Sequence, residues 1–274
     1  TKLKSGLEYL IVKDEKGDKK TDIGSIISLH ILTKIGDSVL FDSRKNNNNE
    51  PIPAQIAKPQ YNGDLMEGLT LLTAGDSALF RVCADSIFRN GQKPPFVKPG
   101  DTVHCYVKMV SVKSLEEYQK EEQETATKQI SADEEIIKKY LVDNNITAIK
   151  TGSGLYYVIT QAGSGENAKP GQEVTMNYTG KLLDGTSFDS NQDPKFGHTE
   201  PFKFQLGSGQ VIKGWDEGIA LLNKGAKAKL IIPSPLGYGT RAMPGNPNNE
   251  KGIPANSILV FDVEMLGAKD MATK

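Results

Sequence analysis

Apolar and polar positions alternate along several short stretches in the second half of this chain, and a period of two predicts strands. Residues 173–179 (EVTMNYT) and 202–206 (FKFQL) alternate as half-buried strands. Residues 155–159, 226–232 and 258–266 are apolar runs that predict further strands. Asp184-Gly185, within residues 183–186, marks a hairpin turn. Between 215 and 222 the spacing changes. Trp215, Ile219 and Leu222 fall near one face of a short helix, which Gly225 is expected to close. Strands around one short helix predict an α+β domain, an antiparallel sheet packed on a helix.

The pattern occurs twice. Ser5-Gly6-Leu7 matches Ser153-Gly154-Leu155, and Phe41-Asp42-Ser43 matches Phe188-Asp189-Ser190. Glu67-Gly68, Leu71-Leu72, Gly75 and Ala78 match Glu217-Gly218, Leu221-Leu222, Gly225 and Ala228. Val107 and Met109 match Val263 and Met265. The order is kept and the offset drifts from 147 to 156, as small loop insertions would make it. Two copies of about a hundred residues are tandem domains rather than a solenoid. The division expected is one domain over 1–113, a charged helical linker over 114–150 and a second domain over 151–274.

In the linker, residues 114–128 (SLEEYQKEEQETATK) are almost all polar and predict an exposed helix or a mobile link. Ser131-Ala132-Asp133-Glu134 has capping-box spacing, so a helix is expected to start there. Ile136, Ile137, Tyr140 and Leu141 share one face of it, and Asn144-Asn145 would end it. Its expected role is to pack on a domain and fix the angle between the two; a partner-binding helix is the alternative.

Composition narrows the function. The chain has 274 residues, enough for two cores, and the 27 Gly and 14 Pro favour a turn-rich β architecture. Net charge is −1, which removes a global electrostatic case for nucleic acid or an anionic membrane. No apolar stretch approaches the ~20 residues of a membrane-spanning helix. Residue 1 is Thr, and a removed signal or lipidated leader is an expectation for the upstream chain. Cys83 and Cys105 read as two half-buried strand thiols, with a bridge between neighbouring strands as the alternative. No CxxC or zinc spacing occurs, and His30, His104 and His198 are scattered, so no metal or cofactor is expected. Residues 237–242 fit GxGxxA, but Pro233, Pro235, Pro244 and Pro247 forbid the helix that a dinucleotide site needs. No Walker A run or GxSxG elbow is present.

Taken singly, Trp215, Phe188, Phe202 and Phe261 read as core residues and Asp189 as a turn acid. Their joint spacing says more. Tyr178-Thr179-Gly180, Asp184-Gly185, Phe188-Asp189-Ser190, Phe202-Lys203-Phe204-x-Leu206-Gly207 and Val211-Ile212-x-Gly214-Trp215-x-x-Gly218 stand in sequence order. Tyr238-Gly239, Ile253-Pro254 and residues 259–263 (LVFDV) follow. This series resembles the FKBP-type peptidyl-prolyl cis-trans isomerases over the whole of residues 152–268. The resemblance implies a curved antiparallel sheet wrapped around a short helix in each copy, with an active cleft between them in the second. Carried over, it implies a pocket of Tyr178, Phe188, Asp189, Phe202, Val211, Ile212, Trp215, Tyr238, Ile253 and Phe261. Trp215 would be the floor, with Tyr178, Phe202 and Phe261 as walls. The Tyr238 hydroxyl and Ile212 N–H would be donors to substrate carbonyls, and Asp189 would orient Tyr178. Residues 240–252 depart from the family: this loop is longer and more hydrophilic than the common form, which bears on sequence preference and macrolide affinity.

Such a cleft suits amide rotation. Resonance sets a barrier of ~18–20 kcal/mol about the C–N bond. X-Pro bonds populate cis, yet exchange takes tens to hundreds of seconds. The twisted amide has lost resonance and is less polar than the planar one, so an apolar slot disfavours the planar form more. Each ~1.4 kcal/mol of that preference is tenfold in rate. Neither a nucleophile nor a metal is needed.

The first copy is worn by the same comparison. His30 is expected at the position of Tyr178, Ile52 near Phe202, Leu65 at Trp215 and Phe88 near Tyr238, while Phe41 and Asp42 are retained. A degenerate, non-catalytic FKBP-like domain is expected, used for binding unfolded or partner chains or for a homodimer contact. The whole chain then reads as a prolyl isomerase acting on unfolded or prolyl-containing polypeptides and open to macrolide inhibitors. A non-catalytic chaperone or scaffold is the alternative. The bacterial cell envelope, periplasmic or lipid-anchored, is the expected location, and the cytoplasm the alternative.

Overall fold

The computed structural model describes residues 1–15, 17, 19–89, 91, 93–245 and 252–270. They form two compact units, Thr1–Gln123 and Glu124–Lys274. The first holds strands β1 (Glu8–Lys13), β2 (Ile26–Ile35), β3 (Ser38–Asp42), β4 (Ile52–Gln55), β5 (Ser77–Cys83) and β6 (Thr102–Lys113), with short helices α1 (Ser43–Asn46), α2 (Leu65–Leu69) and α3 (Ala84–Ile87). Helix α4 (Leu115–Asp143) follows. The second unit holds β7 (Ile149–Lys150), β8 (Tyr156–Gln161), β9 (Ser164–Asn167), β10 (Glu173–Leu182), β11 (Ser187–Ser190), β12 (Phe202–Gln205), α5 (Lys213–Ile219), β13 (Asn223–Lys224), β14 (Lys227–Ile232) and β15 (Leu259–Lys269).

Both main sheets have one topology, all antiparallel. In the first unit the order is β1-β5-β6-β2-β3 with β4 on β2; in the second it is β7-β8-β14-β15-β10-β11 with β12 on β10. The inner face of each sheet packs on its short helix, as an α+β fold requires. Two glycines explain how closely. A Cβ on Gly214 would meet Ile232 at 2.5 Å, and one on Gly218 would meet Leu230 at 2.8 Å, so α5 lies directly on β14. Gly68 repeats this in the first unit, 2.4 Å from the Phe80 ring.

Several expectations need correction. Helix α4 starts at Leu115, not near Ser131, because Ser114 and Glu117 form the capping box: the Glu117 amide donates to Ser114 Oγ (3.1 Å) and the Ser114 amide to Glu117 Oε2 (2.7 Å). The Ser131 hydroxyl instead donates back to the Thr127 carbonyl. Asn145, at φ +54°, follows the helix end as read. Helix α5 spans Lys213–Ile219, so Gly225 does not close it; the left-handed Gly225 (φ +84°) turns the chain between β13 and β14. Cys83 is exposed and Cys105 buried, and both are free. No helix among the described residues is long and apolar enough to cross a membrane.

Register relates the copies more exactly than motif matching. Met176 faces Phe202 and Met265, as Leu29 faces Ile52 and Met109. Two residues on, Tyr178 faces Val263 as Ile31 faces Val107, so Ile31, not His30, holds the Tyr178 position. The β2–β3 hairpin is one residue shorter than β10–β11, which slides the next strand. Gly180 faces Asp189, whereas the equivalent Thr33 faces Phe41. Leu40 and Phe41 therefore stand where the second unit has Phe188 and Asp189, and Phe41-Asp42 is not a retained pair. Asp42 instead caps α1.

Candidate functional site

The site grows from the inward positions of β10. Val174, Met176 and Tyr178 are buried at alternate positions, and the next inward residue, Gly180, has no side chain for a reason. A Cβ there would sit 2.6 Å from the Phe188 ring and 2.7 Å from that of Phe261, so the glycine admits both rings. Phe188 and Phe261 meet edge to face, 5.5 Å apart at 84°. Asn191, itself buried, fixes the strand end: its Oδ1 accepts from the Tyr178 amide (2.8 Å) and its Nδ2 donates to the Met176 and Glu200 carbonyls.

Helix α5 presents Trp215 to these rings. Its centroid lies 5.2 Å from Phe261, 5.3 Å from Tyr178, 5.8 Å from Phe204 and 6.1 Å from Phe202. Three of the four contacts are edge to face, the arrangement that the ring quadrupoles favour. The indole is only 4 % exposed, and its buried Nε1–H has no hydrogen-bond partner among the described residues. The loop before the helix is held by Asp216, whose carboxylate accepts from the amides of Gly207 (2.8 Å) and Gly209 (3.2 Å). This clamp sets Val211 and Ile212 at the helix entrance, and the Ile212 N–H makes no hydrogen bond among the described residues.

These residues enclose an open cavity of about 390 Å³. Tyr178, Phe188, Asp189, Phe202, Val211, Ile212, Trp215, Tyr238 and Phe261 all line it, with Gly209 and Gln210. Ile253 does not. It is buried, exchanges backbone hydrogen bonds with Met243 (2.8 and 2.9 Å), and packs in the core at the root of the 240–252 loop. Residues 246–251 of that loop, including Asn246, Pro247, Asn248 and Asn249, lie outside the described residues. The GxGxxA stretch follows a single 3₁₀ turn, Ser234–Leu236, and carries no helix.

Polarity is confined to one edge. Asp189 Oδ2 accepts from the Tyr178 hydroxyl at 2.7 Å, and Oδ1 accepts from the Ser190 amide at 2.9 Å. His198 Nε2 lies 2.8 Å from the same Oδ1. Burial, then the bond to Asp189, raises the Tyr178 pKa well above the ordinary phenol value. Burial, then the Asp189 charge, raises that of Tyr238. Both phenols are thus held as neutral donors, and the Tyr238 hydroxyl has no partner among the described residues. Sequence reasoning missed Asn191, His198 and Asp216. The first two lie outside the matched motifs, and Asp216 acts only through the fold of its loop. No cluster of three His, Cys, Asp or Glu among the described residues is placed to hold a metal.

In the first unit the positions equivalent to Tyr178, Phe188, Asp189, Phe202 and Phe261 carry Ile31, Leu40, Phe41, Ile52 and Cys105 by register. The chain matches place Leu65 and Phe88 at Trp215 and Tyr238. The aromatic box and its polar edge are both gone.

A family model described as FKBP-type peptidyl-prolyl cis-trans isomerase matches residues 164–266. The peptidyl-prolyl cis-trans isomerase Fkbp12 of Drosophila melanogaster is 52% identical over 98 residues, 36% of this chain and 82% of that protein. The FKBP-type isomerase FkpA of Buchnera aphidicola is 44% identical over 123 residues, 44% of each chain. FK506-binding protein 4 of Mycosarcoma maydis is 44% identical over 138 residues, 49% of this chain but only 34% of that protein.

Proposed function

Because the chain belongs to the FKBP-type peptidyl-prolyl cis-trans isomerase family, we propose that its Glu124–Lys274 unit catalyses rotation about X-Pro bonds of polypeptides in the Trp215 cleft, while Thr1–Gln123 takes no part in the chemistry. One observation carries the reading: nine side chains, drawn from four strands, α5 and two loops, meet around a single apolar cavity with one polar edge. The proline ring rests on the Trp215 indole between Tyr178, Phe202 and Phe261. The Tyr238 hydroxyl and Ile212 N–H, both free to donate, engage carbonyls flanking the bond. Asp189 holds Tyr178 in place.

Water is largely excluded from such a slot, so the planar, polar amide loses more solvation than the twisted one. Preference for the twisted form lowers the barrier without a covalent step. Unfolded chains presenting proline are the substrate class this fits, and a macrolide of the FK506 type would compete for the same cleft. The tandem layout and the bacterial relative support a place in the bacterial cell envelope, which fractionation of the native host would test.

The discriminating experiment is exchange of a short X-Pro peptide, followed by protease coupling or NMR, with the full chain. Wild type should accelerate exchange and Trp215→Ala should abolish it. An unaltered rate in Trp215→Ala would assign the activity elsewhere. Tight peptide binding without acceleration would favour a non-catalytic chaperone.

A further inference from the structure

The outer faces of the two sheets are patterned in opposite ways. In the second unit Tyr156, Ile231 and Val260 stand side by side across β8, β14 and β15. Ile137 of α4 covers them, and together with Ile258 these residues form a separate buried cluster. The neighbouring row, Val158–Lys229–Asp262–Thr179, stays at the surface and carries the Lys229–Asp262 ion pair.

In the first unit the two rows exchange character. The row equivalent to the helix-covered one is Glu8–Arg81–His104–Lys34, which is polar. The row equivalent to the ion-paired one is Leu10–Leu79–Tyr106–Leu32, which is apolar. Leu10 is 59% and Tyr106 45% exposed, and Val12 beside them is 67% exposed. A continuous apolar row on one face of an antiparallel sheet, with Leu10, Val12 and Tyr106 left exposed among the described residues, is the pattern of a surface that receives a partner.

We propose that this outer face of the Thr1–Gln123 sheet docks an amphipathic helix of another polypeptide, with an apolar stripe bordered by carboxylates. The second unit supplies the template for the shape. There the apolar row is covered by a helix whose stripe of Ile137, Tyr140 and Leu141 is bordered by acids. Asp133 accepts from the Ser234 amide at 2.6 Å and Glu134 pairs with Lys150 at 2.7 Å. Charge supplies the argument for acids in the first unit. The apolar row is flanked by Glu8–Arg81–His104–Lys34 on one side and Lys13–Ser77–Lys108–His30 on the other. Of the four Lys or Arg in these rows, Arg81 is paired with Glu8 (3.5 Å) and Lys13 with Glu15, while Lys34 and Lys108 form no ion pair among the described residues and are the cations left for a bordering acid. Rows two residues apart along a strand are ~6.7 Å apart, so the flanking rows are separated by ~13 Å. A helix ~10–12 Å across fits between them with its border positions over the cations. A second copy of the same face would instead bring Lys34, Arg81 and Lys108 against their like, which disfavours self-pairing.

The test uses the full chain and a fluorescein-labelled synthetic helix with a leucine stripe bordered by glutamates, followed by anisotropy. The double variant L79K/Y106D copies the Lys229–Asp262 pair that the same fold carries at these two positions, so it keeps the sheet. Saturable binding to wild type, weakened at least tenfold in L79K/Y106D with isomerase rate and melting behaviour retained, is the expected result. A peptide with lysine in place of glutamate should bind at least tenfold more weakly. Equal affinity for the variant, equal affinity for the lysine peptide, or no binding to wild type would overturn the proposal. So would a dimer in sedimentation that L79K/Y106D dissociates, since a second copy would then occupy the face.

Discussion

Replacing Phe202 by alanine tests the cleft more cleanly than replacing its floor, because Phe202 is the wall that remains accessible. It is 39% exposed, whereas Trp215 is 4% exposed and holds the core together. An aromatic side chain offers roughly 150–250 Å², so the 39% left uncovered is roughly 60–100 Å² available to a bound proline ring. At ~25 cal/mol per Å² this is ~1.5–2.5 kcal/mol. If the twisted amide covers that surface, F202A lowers kcat/KM by roughly 10- to 70-fold, at ~1.4 kcal/mol for each tenfold. Truncating the buried remainder costs about 2–4 kcal/mol of stability by the same coefficient, an upper bound for a compact unfolded chain. Urea unfolding must therefore establish that the variant is folded at the assay temperature. The assay is protease-coupled exchange of a short X-Pro peptide in the cold, where the uncatalysed reaction is slow. A folded F202A with kcat/KM within about twofold of wild type would refute the claim that this wall contributes to transition-state binding.

Gly180→Ala should destabilise the second unit by ~1–3 kcal/mol in urea unfolding, since the new methyl overlaps the Phe188–Phe261 ring pair. Tyr178→Phe leaves Asp189 Oδ2 without its phenol donor and should cost ~1.5–3 kcal/mol, with a lower isomerase rate on the same peptide. Because the folded-state pKa of Tyr178 is raised, its contribution is complete below the ordinary phenol value and is lost as pH climbs through the folded one; Y178F should flatten the alkaline limb of the unfolding curve. Glu134 is the opposite case. Hydrogen bonds to Lys150 and Lys138 lower its pKa to about 2, so its stabilisation is present above the ordinary glutamate range and lost as acid approaches about 2. E134Q should therefore reduce the slope of stability between about pH 5 and pH 2.

The strands and the cleft were legible because their signals are local. Alternation in 173–179 set the inward faces of Val174 and Tyr178, and the motif spacing gathered nine of the ten expected residues around one cavity. What failed depended on long-range geometry. Gly225 resembles a helix terminator in sequence, but its turn is tied to β15 by the hydrogen bond its amide donates to the Met265 carbonyl. The helix start at Ser114 was hidden because Ser131 offers the same spacing, and only hydrogen bonds distinguish them. Phe41 was misplaced because a hairpin shorter by one changes every later partner on β3 while leaving the motif letters similar, and His30, upstream of that hairpin, because the 148-residue offset of Ser5–Ser153 has already become 147 in β2.

That one-residue slide changes what duplication has done. By motif match alone, the first unit would keep its Phe–Asp pair and lose part of its cleft. By register it has replaced the carboxylate position with Phe41 and the Phe261 wall with Cys105, a buried thiol whose pKa burial pushes up to about 12. The Asp189 carboxylate and the Phe261 ring have no counterpart at these two positions, while the helix contact through Gly68 and the sheet order are kept. Close packing preserves the scaffold because each core change must be matched by its neighbours. The cleft and the outer face carry no such constraint. One copy has held its aromatic box and lies under its own helix; the other has exchanged the box for aliphatic packing and left a greasy row open. A double variant of the full chain, W215A/F202A, makes the division measurable: exchange of the prolyl peptide should fall to the uncatalysed rate, and any substantial residue of catalysis would have to come from the Thr1–Gln123 unit.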